Sequence, residues 1–148
     1  MNILKFTVVT GLLLFVNHPI SVGMPTDSIR LSRDYAVNVF EKTMTEGSID
    51  HLEEILDDSF QFSMLRLNDQ VSLNKRYLIN FYKKSKTFYL KQDCYVSSTT
   101  LMSSKYSSVI KLDLHYKTFM HSYFLSLASK SDGWKIIYVY SLLNAPND

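Results

Sequence analysis

The feature that most constrains this chain is a change of hydrophobic period partway along it. Residues 106–116 alternate strictly: Ile110, Leu112, Leu114 and Tyr116 are interleaved with Lys111, Asp113, His115 and Lys117. That is the pattern of a strand with one buried face. Residues 90–102, 119–128 and 134–142 continue in the same manner. Upstream, apolar positions recur three and four apart, as helices require: Tyr35, Ala36, Val39, Phe40, Thr43 and Met44, then Leu52, Ile55 and Leu56, then Tyr77, Leu78, Phe81 and Tyr82. Helices grouped ahead of an antiparallel sheet predict an α+β fold.

The N-terminus reads as an export leader. Lys5 supplies the positive charge, residues 6–16 form an apolar stretch, and Ser21-Val22-Gly23 places small residues before a cut after Gly23. That stretch is shorter than the roughly 20 residues a spanning helix needs. Residues 1–23 are thus expected to be a signal peptide and 24–148 one secreted or periplasmic domain, with no membrane association after cleavage. With Lys5 removed, basic and acidic side chains nearly balance, so no nucleic-acid partner is expected. Cys94 is the single cysteine. No intramolecular disulfide is therefore possible, and the core alone must hold the fold.

Local signals set the boundaries. Thr26 or Asp27 can cap the first helix and Gly47 can end it; Ser48 can cap a second, and Ser72 a third. Residues 58–65 alternate as a short strand between the last two. A two-residue loop at Lys117-Thr118 would pair Tyr116 with Phe119, Leu114 with His121 and Leu112 with Tyr123. The stronger turn signal, Asp132-Gly133, would pair Leu127 with Tyr138 and Leu125 with Tyr140. Directly opposed residues share a face. Ile110, Leu112, Leu114, Tyr116, Phe119, His121, Tyr123, Leu125, Leu127, Ile136, Tyr138, Tyr140 and Leu142 are then expected to line one inner surface. The opposite face would carry Met120, Phe124, Ile137 and Val139 among polar residues. That is more apolar than a solvated sheet needs, and it predicts a homodimer packed through this face.

This layout resembles the NTF2-like superfamily, which includes ketosteroid isomerases and SnoaL-type cyclases. The likeness rests on Tyr35-Ala36-Val37 through Gly47, on residues 49–58 with Phe60 and Phe62, on residues 78–81, and on Asp132-Gly133-Trp134-Lys135-Ile136-Ile137. It implies three N-terminal helices packed on a strongly curved antiparallel sheet, with a cone-shaped cavity open at one end. It also supplies a test of chemistry. The general-base carboxylate of the isomerases falls at Ser63, and serine cannot shuttle a proton as a carboxylate does. Tyr35 matches their oxyanion-hole tyrosine, but no acid falls on the inner face, so isomerase activity is not expected.

His121 is the one imidazole expected inside. His115 falls on the other face and His51 on an exposed helix side, so no metal site is expected, and no cofactor motif is present. A cavity walled by Phe60, Phe62 and Leu114, with Tyr35, Tyr116, His121, Tyr123 and Tyr140 as polar anchors, suits a small hydrophobic or aromatic ligand bound without catalysis. Two alternatives stand beside that reading: a SnoaL-like cyclase or hydrolase using His121 as general base, and a dimeric protein-interaction module.

Overall fold

Ser32 begins the first helix with its side chain: its Oγ accepts the Tyr35 N–H at 3.1 Å, filling one of the donors that a helix start leaves open. The computed structural model of the chain describes residues 29, 31–66, 69–85 and 91–144. The predicted leader and the Thr26 and Asp27 caps lie outside the described residues. Helix α1 (Arg33–Glu46) ends at Gly47, whose φ of 67° lets its N–H return to the Thr43 carbonyl at 3.0 Å. Its buried stripe, Ala36, Val39, Phe40, Thr43 and Met44, follows the predicted spacing.

The second helix is a correction. Helix α2 (Leu52–Ile55) spans four residues, because strand β1 (Leu56–Arg66) starts at once. Leu56 pairs in parallel with Ile136, a long-range ladder that local spacing cannot report. The third helix is corrected too. Strand β2 (Asp69–Asn74) takes Ser72 into a hairpin with β1, and Asn74 replaces it as cap by accepting the Tyr77 N–H at 2.9 Å. Helix α3 (Lys75–Ser85) buries Leu78, Ile79 and Tyr82, while Tyr77 and Phe81 face outward.

Strands β3 (Tyr95–Ser103), β4 (Ser107–His115), β5 (Met120–Lys130) and β6 (Gly133–Asn144) complete one curved six-stranded sheet in the order β2-β1-β6-β5-β4-β3. It is mixed rather than wholly antiparallel, since β1 and β6 run parallel. The helices cover one face. Between helices and sheet lie Phe40 and Leu52 from the helices, and Leu56, Phe60, Leu112, Leu114, Leu125, Leu127, Ile136 and Val139 from the strands, all essentially inaccessible to solvent.

One hairpin follows the expected register and the other departs from it. Lys117-Thr118, poor turn chemistry, gives the predicted register: Leu114 opposes His121 and Leu112 opposes Tyr123. At Asp132-Gly133 the loop instead falls on Ser131-Asp132, pairing Lys130 with Gly133 and Leu127 with Ile136. Gly133 serves a different need. Its φ is 111°, and a Cβ there would meet the Leu31 Cα at 3.0 Å. The close approach lets the Trp134 N–H reach the Leu31 carbonyl at 3.1 Å.

Past Ile136 the ladder slips. Leu127 opposes Ile136 but Ser126 opposes Tyr138, leaving Ile137 as the extra residue of a β-bulge. Because side chains alternate, that single insertion exchanges the faces of everything after it. Val139 and Ser141 turn inward and are buried, whereas Tyr138, Tyr140 and Leu142 turn outward. Placing Tyr140 in the cone and Val139 on the outer face was therefore wrong, for this one reason.

Candidate functional site

The inner face can be read as rows running across the sheet. Phe62, Val139, Leu125 and Ile110 form one row; Met64, Ser141, Tyr123 and Leu112 form the next; Leu143, His121, Leu114 and Val96 form the last. The first two rows are mostly buried beneath the helices. In the third, Leu114 is still inaccessible while Leu143 is 63% exposed. The helical cover runs out across this row, and His121 sits where it does so.

His121 is held by neutral groups. Its Nε2 lies 2.6 Å from the Ser141 Oγ and its Nδ1 lies 3.1 Å from the Tyr123 hydroxyl. The two rings are 4.3 Å apart. Tyr123 is fixed in turn by an edge-on contact with Phe40 at 5.7 Å and by Phe62 at 6.3 Å. Burial alone pulls the His121 pKa below its ordinary value, because a charged imidazole is disfavoured away from water. The neutral ring uses one nitrogen as donor and the other as acceptor, and both are engaged.

The remaining expected site residues divide. Phe60, Phe62 and Leu114 are core walls. Tyr116 sits at the rim, donating to the Gln92 Oε1 at 3.3 Å and stacked on Phe119 at 4.3 Å. Tyr35 is not brought to His121. It lies in the first turn of α1, 6.2 Å from the His51 ring, and Arg33 two residues before it reaches Ser103, at the opposite end of β3 from Val96 in the row of His121. Its hydroxyl is buried without a hydrogen-bond partner among the described residues. Ser141 is the member that sequence reasoning missed. Nothing in the local pattern marks it, because the bulge at Ile137 alone turns it inward.

The outer face holds a second polar group of residues. Asp113, nearly buried, accepts from the Lys111 Nζ at 2.8 Å and from the Ser122 Oγ at 2.6 Å. The Asn144 Nδ2 donates to the same serine at 3.0 Å. Burial raises the Asp113 pKa, but the lysine and serine outweigh it and hold the carboxyl below its usual range. Around this network an open groove of about 920 Å³ is lined by Tyr95, His115, Phe119, Met120 and Phe124 among others. Met120 and Phe124 stand on this face, half-buried, with Tyr138, Tyr140 and Leu142. Among the described residues no three His, Cys, Asp or Glu side chains converge as a metal site, and no helix is long and apolar enough to cross a membrane.

No family model matches the sequence, and no curated protein matches it either. Solved structures do. An NTF2-like protein of unknown function from Silicibacter pomeroyi shares 12% identity at a TM-score of 0.64, over 82% of this chain and 100% of its own. One from Methylobacillus flagellatus, also of unknown function, shares 13% at 0.62, over 84% and 98%. An NTF2-like protein from Cytophaga hutchinsonii shares 15% at 0.57, over 82% and 99%. At such identities the likeness is one of backbone. It rests on the same grouping of helices against one curved sheet that the hydrophobic periods announce, and on it the chain has the NTF2-like fold.

Proposed function

We propose that this is an exported binding domain rather than an enzyme, and that it holds a small, neutral, largely hydrophobic molecule at the open end of the NTF2-like cone. The observation that carries this reading is the setting of His121. Both ring nitrogens are taken by hydroxyls, burial keeps the ring uncharged, and the neighbouring Leu143 leaves apolar surface open. Burial opposes the charge that a general base gains on taking a proton, so the imidazole is poorly set up for that role. The nearby carboxylate that cyclase chemistry would require, Asp113, is turned to the opposite face. Ser141 and Tyr123 retain hydrogen-bonding capacity for one polar group of a ligand, and Met64 and Leu143 supply apolar contact.

The test is a thermal-shift screen of flat aromatic molecules on the chain lacking residues 1–23, repeated with Leu143→Glu. Leu143 is exposed, so the substitution leaves the fold intact. A ligand that raises Tm for the parent but not for Leu143→Glu supports the reading. A panel without any stabilising ligand, or a shift that survives Leu143→Glu, overturns it.

A second reading concerns assembly. The wide groove and the half-buried Met120 and Phe124 favour a homodimer through the outer sheet face. Light scattering on the parent chain and on Phe124→Asp tests it. A monomer in both counts against that interface.

A further inference from the structure

Helix α3 turns two of its aromatic residues away from the core. Tyr77 and Phe81, one turn apart, are 59% and 50% exposed. With Lys84, three residues on, they form one outward stripe. Beside it lies a shallow groove of about 240 Å³ lined by Tyr77, Asn80, Phe81 and Lys84. The helix also carries Lys75, Arg76 and Lys83, and no acid. Elsewhere Arg33, Lys91, Lys111, Lys130 and Lys135 each pair with a carboxylate, as Lys75 does with Asp58. Arg76, Lys83 and Lys84 have no such pair among the described residues. Lys42, Lys105 and Lys117 have none either, but they stand singly on separate elements. Glu53 and Asp58 line a groove with Arg76 and Lys83, yet Asp58 is taken by Lys75 at 3.1 Å. Lys83 and Lys84 suit a helix C-terminus, whose dipole favours cations. Arg76, in the first turn, opposes that dipole, so helix stability does not account for the group.

We propose that this face of α3 docks on an anionic lipid bilayer, lying in the headgroup plane with Tyr77 and Phe81 inserted and Arg76, Lys83 and Lys84 against the phosphates. Charge selects the sign of the partner, because three unneutralised cations gather beside the exposed aromatic pair. Shape selects a surface over a protein groove. The stripe is convex and offers two apolar side chains, far less than the roughly 800 Å² per partner of a standard protein interface. A membrane interface takes a helix lying flat, with aromatic rings at headgroup depth and cations around them. Lysine stems run along the apolar layer while their ammonium groups stay in water. No described helix is long and apolar enough to cross a membrane, and lying on one requires no such length. The proposal departs from the expectation of no membrane association after cleavage, which rested on spanning length. It uses none of the residues around His121 or on the outer sheet face.

The experiment is vesicle flotation of the chain lacking residues 1–23, which keeps every described residue. Vesicles are phosphatidylcholine alone, or an equimolar mixture with phosphatidylglycerol. The variants are Lys83→Glu/Lys84→Glu, Phe81→Ser, and Lys105→Glu/Lys117→Glu, which makes the same change of net charge elsewhere. All the substituted side chains are exposed, and circular dichroism checks that each variant is folded. The parent is expected to float with the mixed vesicles only, and to be released as salt rises. Lys83→Glu/Lys84→Glu is expected to weaken binding by about thirtyfold or more. Phe81→Ser is expected to weaken it about tenfold, and Lys105→Glu/Lys117→Glu to leave it unchanged. Equal binding to phosphatidylcholine alone, or none to the mixed vesicles, overturns the proposal. So does a Lys105→Glu/Lys117→Glu variant that loses as much as Lys83→Glu/Lys84→Glu, since the charge of the whole chain then acts. Parental binding by Phe81→Ser leaves adsorption by charge alone and overturns the insertion. Binding to soluble polyglutamate that is equally strong and equally sensitive to Phe81→Ser assigns the face to an acidic protein and overturns it as well.

Discussion

The His121 Nε2 and the Ser141 Oγ lie 2.6 Å apart at the open end of the sheet. The contact exists because β6 carries one residue more than β5 across the bulge at Ile137. Without it, Tyr140 would occupy the inner side and Ser141 would face away. One unpaired residue thus decides which polar group His121 meets and which tyrosines leave the cone.

Deleting Ile137 tests that dependence. The ladder would then run from Leu127–Ile136 straight to Ser126–Tyr138, so Val139 and Ser141 keep their buried side and the deletion variant is expected to fold. Ile137→Ala keeps the residue count, and at a half-buried position it is expected to cost about 1 kcal/mol in urea denaturation. A deletion variant that fails to fold would refute the role given to the bulge.

His121 makes stability depend on pH with a definite sign. The unfolded chain takes up its proton near 6.5, while burial holds the folded imidazole below that value. Within that interval the unfolded state binds more protons, so stability falls as pH drops below about 6.5. In His121→Gln this part of the slope is expected to disappear. Matching urea midpoints measured across that range for both proteins check it.

Asp113 acts at lower pH. Its folded carboxyl is held below the ordinary value of 3.8, so its contribution is present above that pH and is lost as pH falls through the folded value. Asp57 behaves alike: the Ser59 hydroxyl and amide, with Lys130, lower its pKa to about 2. Asp113→Ala removes the acceptor of both Lys111 and Ser122 and is expected to cost about 1–3 kcal/mol at neutral pH. The variant should also lose part of the acid-induced decline. Denaturant titrations at pH 7 and pH 3 measure both effects.

Two glycines carry conformational demands that an alanine tests. Gly47→Ala keeps a left-handed φ with a Cβ present and is expected to cost about 1 kcal/mol. Gly133→Ala should cost more, because its Cβ would also meet the Leu31 backbone at 3.0 Å. Thermal midpoints of the two variants should fall in that order.

Much of the fold was legible from residues alone. The alternation through Ile110, Leu112 and Leu114, the helical spacing of Ala36, Phe40, Thr43 and Met44, and the Gly47 stop each record a local requirement, burial of one face or a permitted dihedral. Those elements stand where the spacing puts them. The inward direction of His121 and Tyr123 followed as well, since the β4–β5 register propagates unbroken from Lys117-Thr118. Ser72 and the second helix misled, because a strand partner distant in sequence captured residues whose local chemistry suits a helix start.

What sequence determined by itself was the order and type of the main elements, and hence the NTF2-like architecture, because hydrophobic period is written into consecutive side chains. Tertiary structure alone decided that β1 runs parallel to β6, that Tyr35 lies far from His121, and that Ser141 rather than Tyr140 meets the imidazole. Each of these depends on pairing between strands far apart in the chain. A one-residue slip in such a pairing reverses which side chains are buried while leaving the local pattern unchanged.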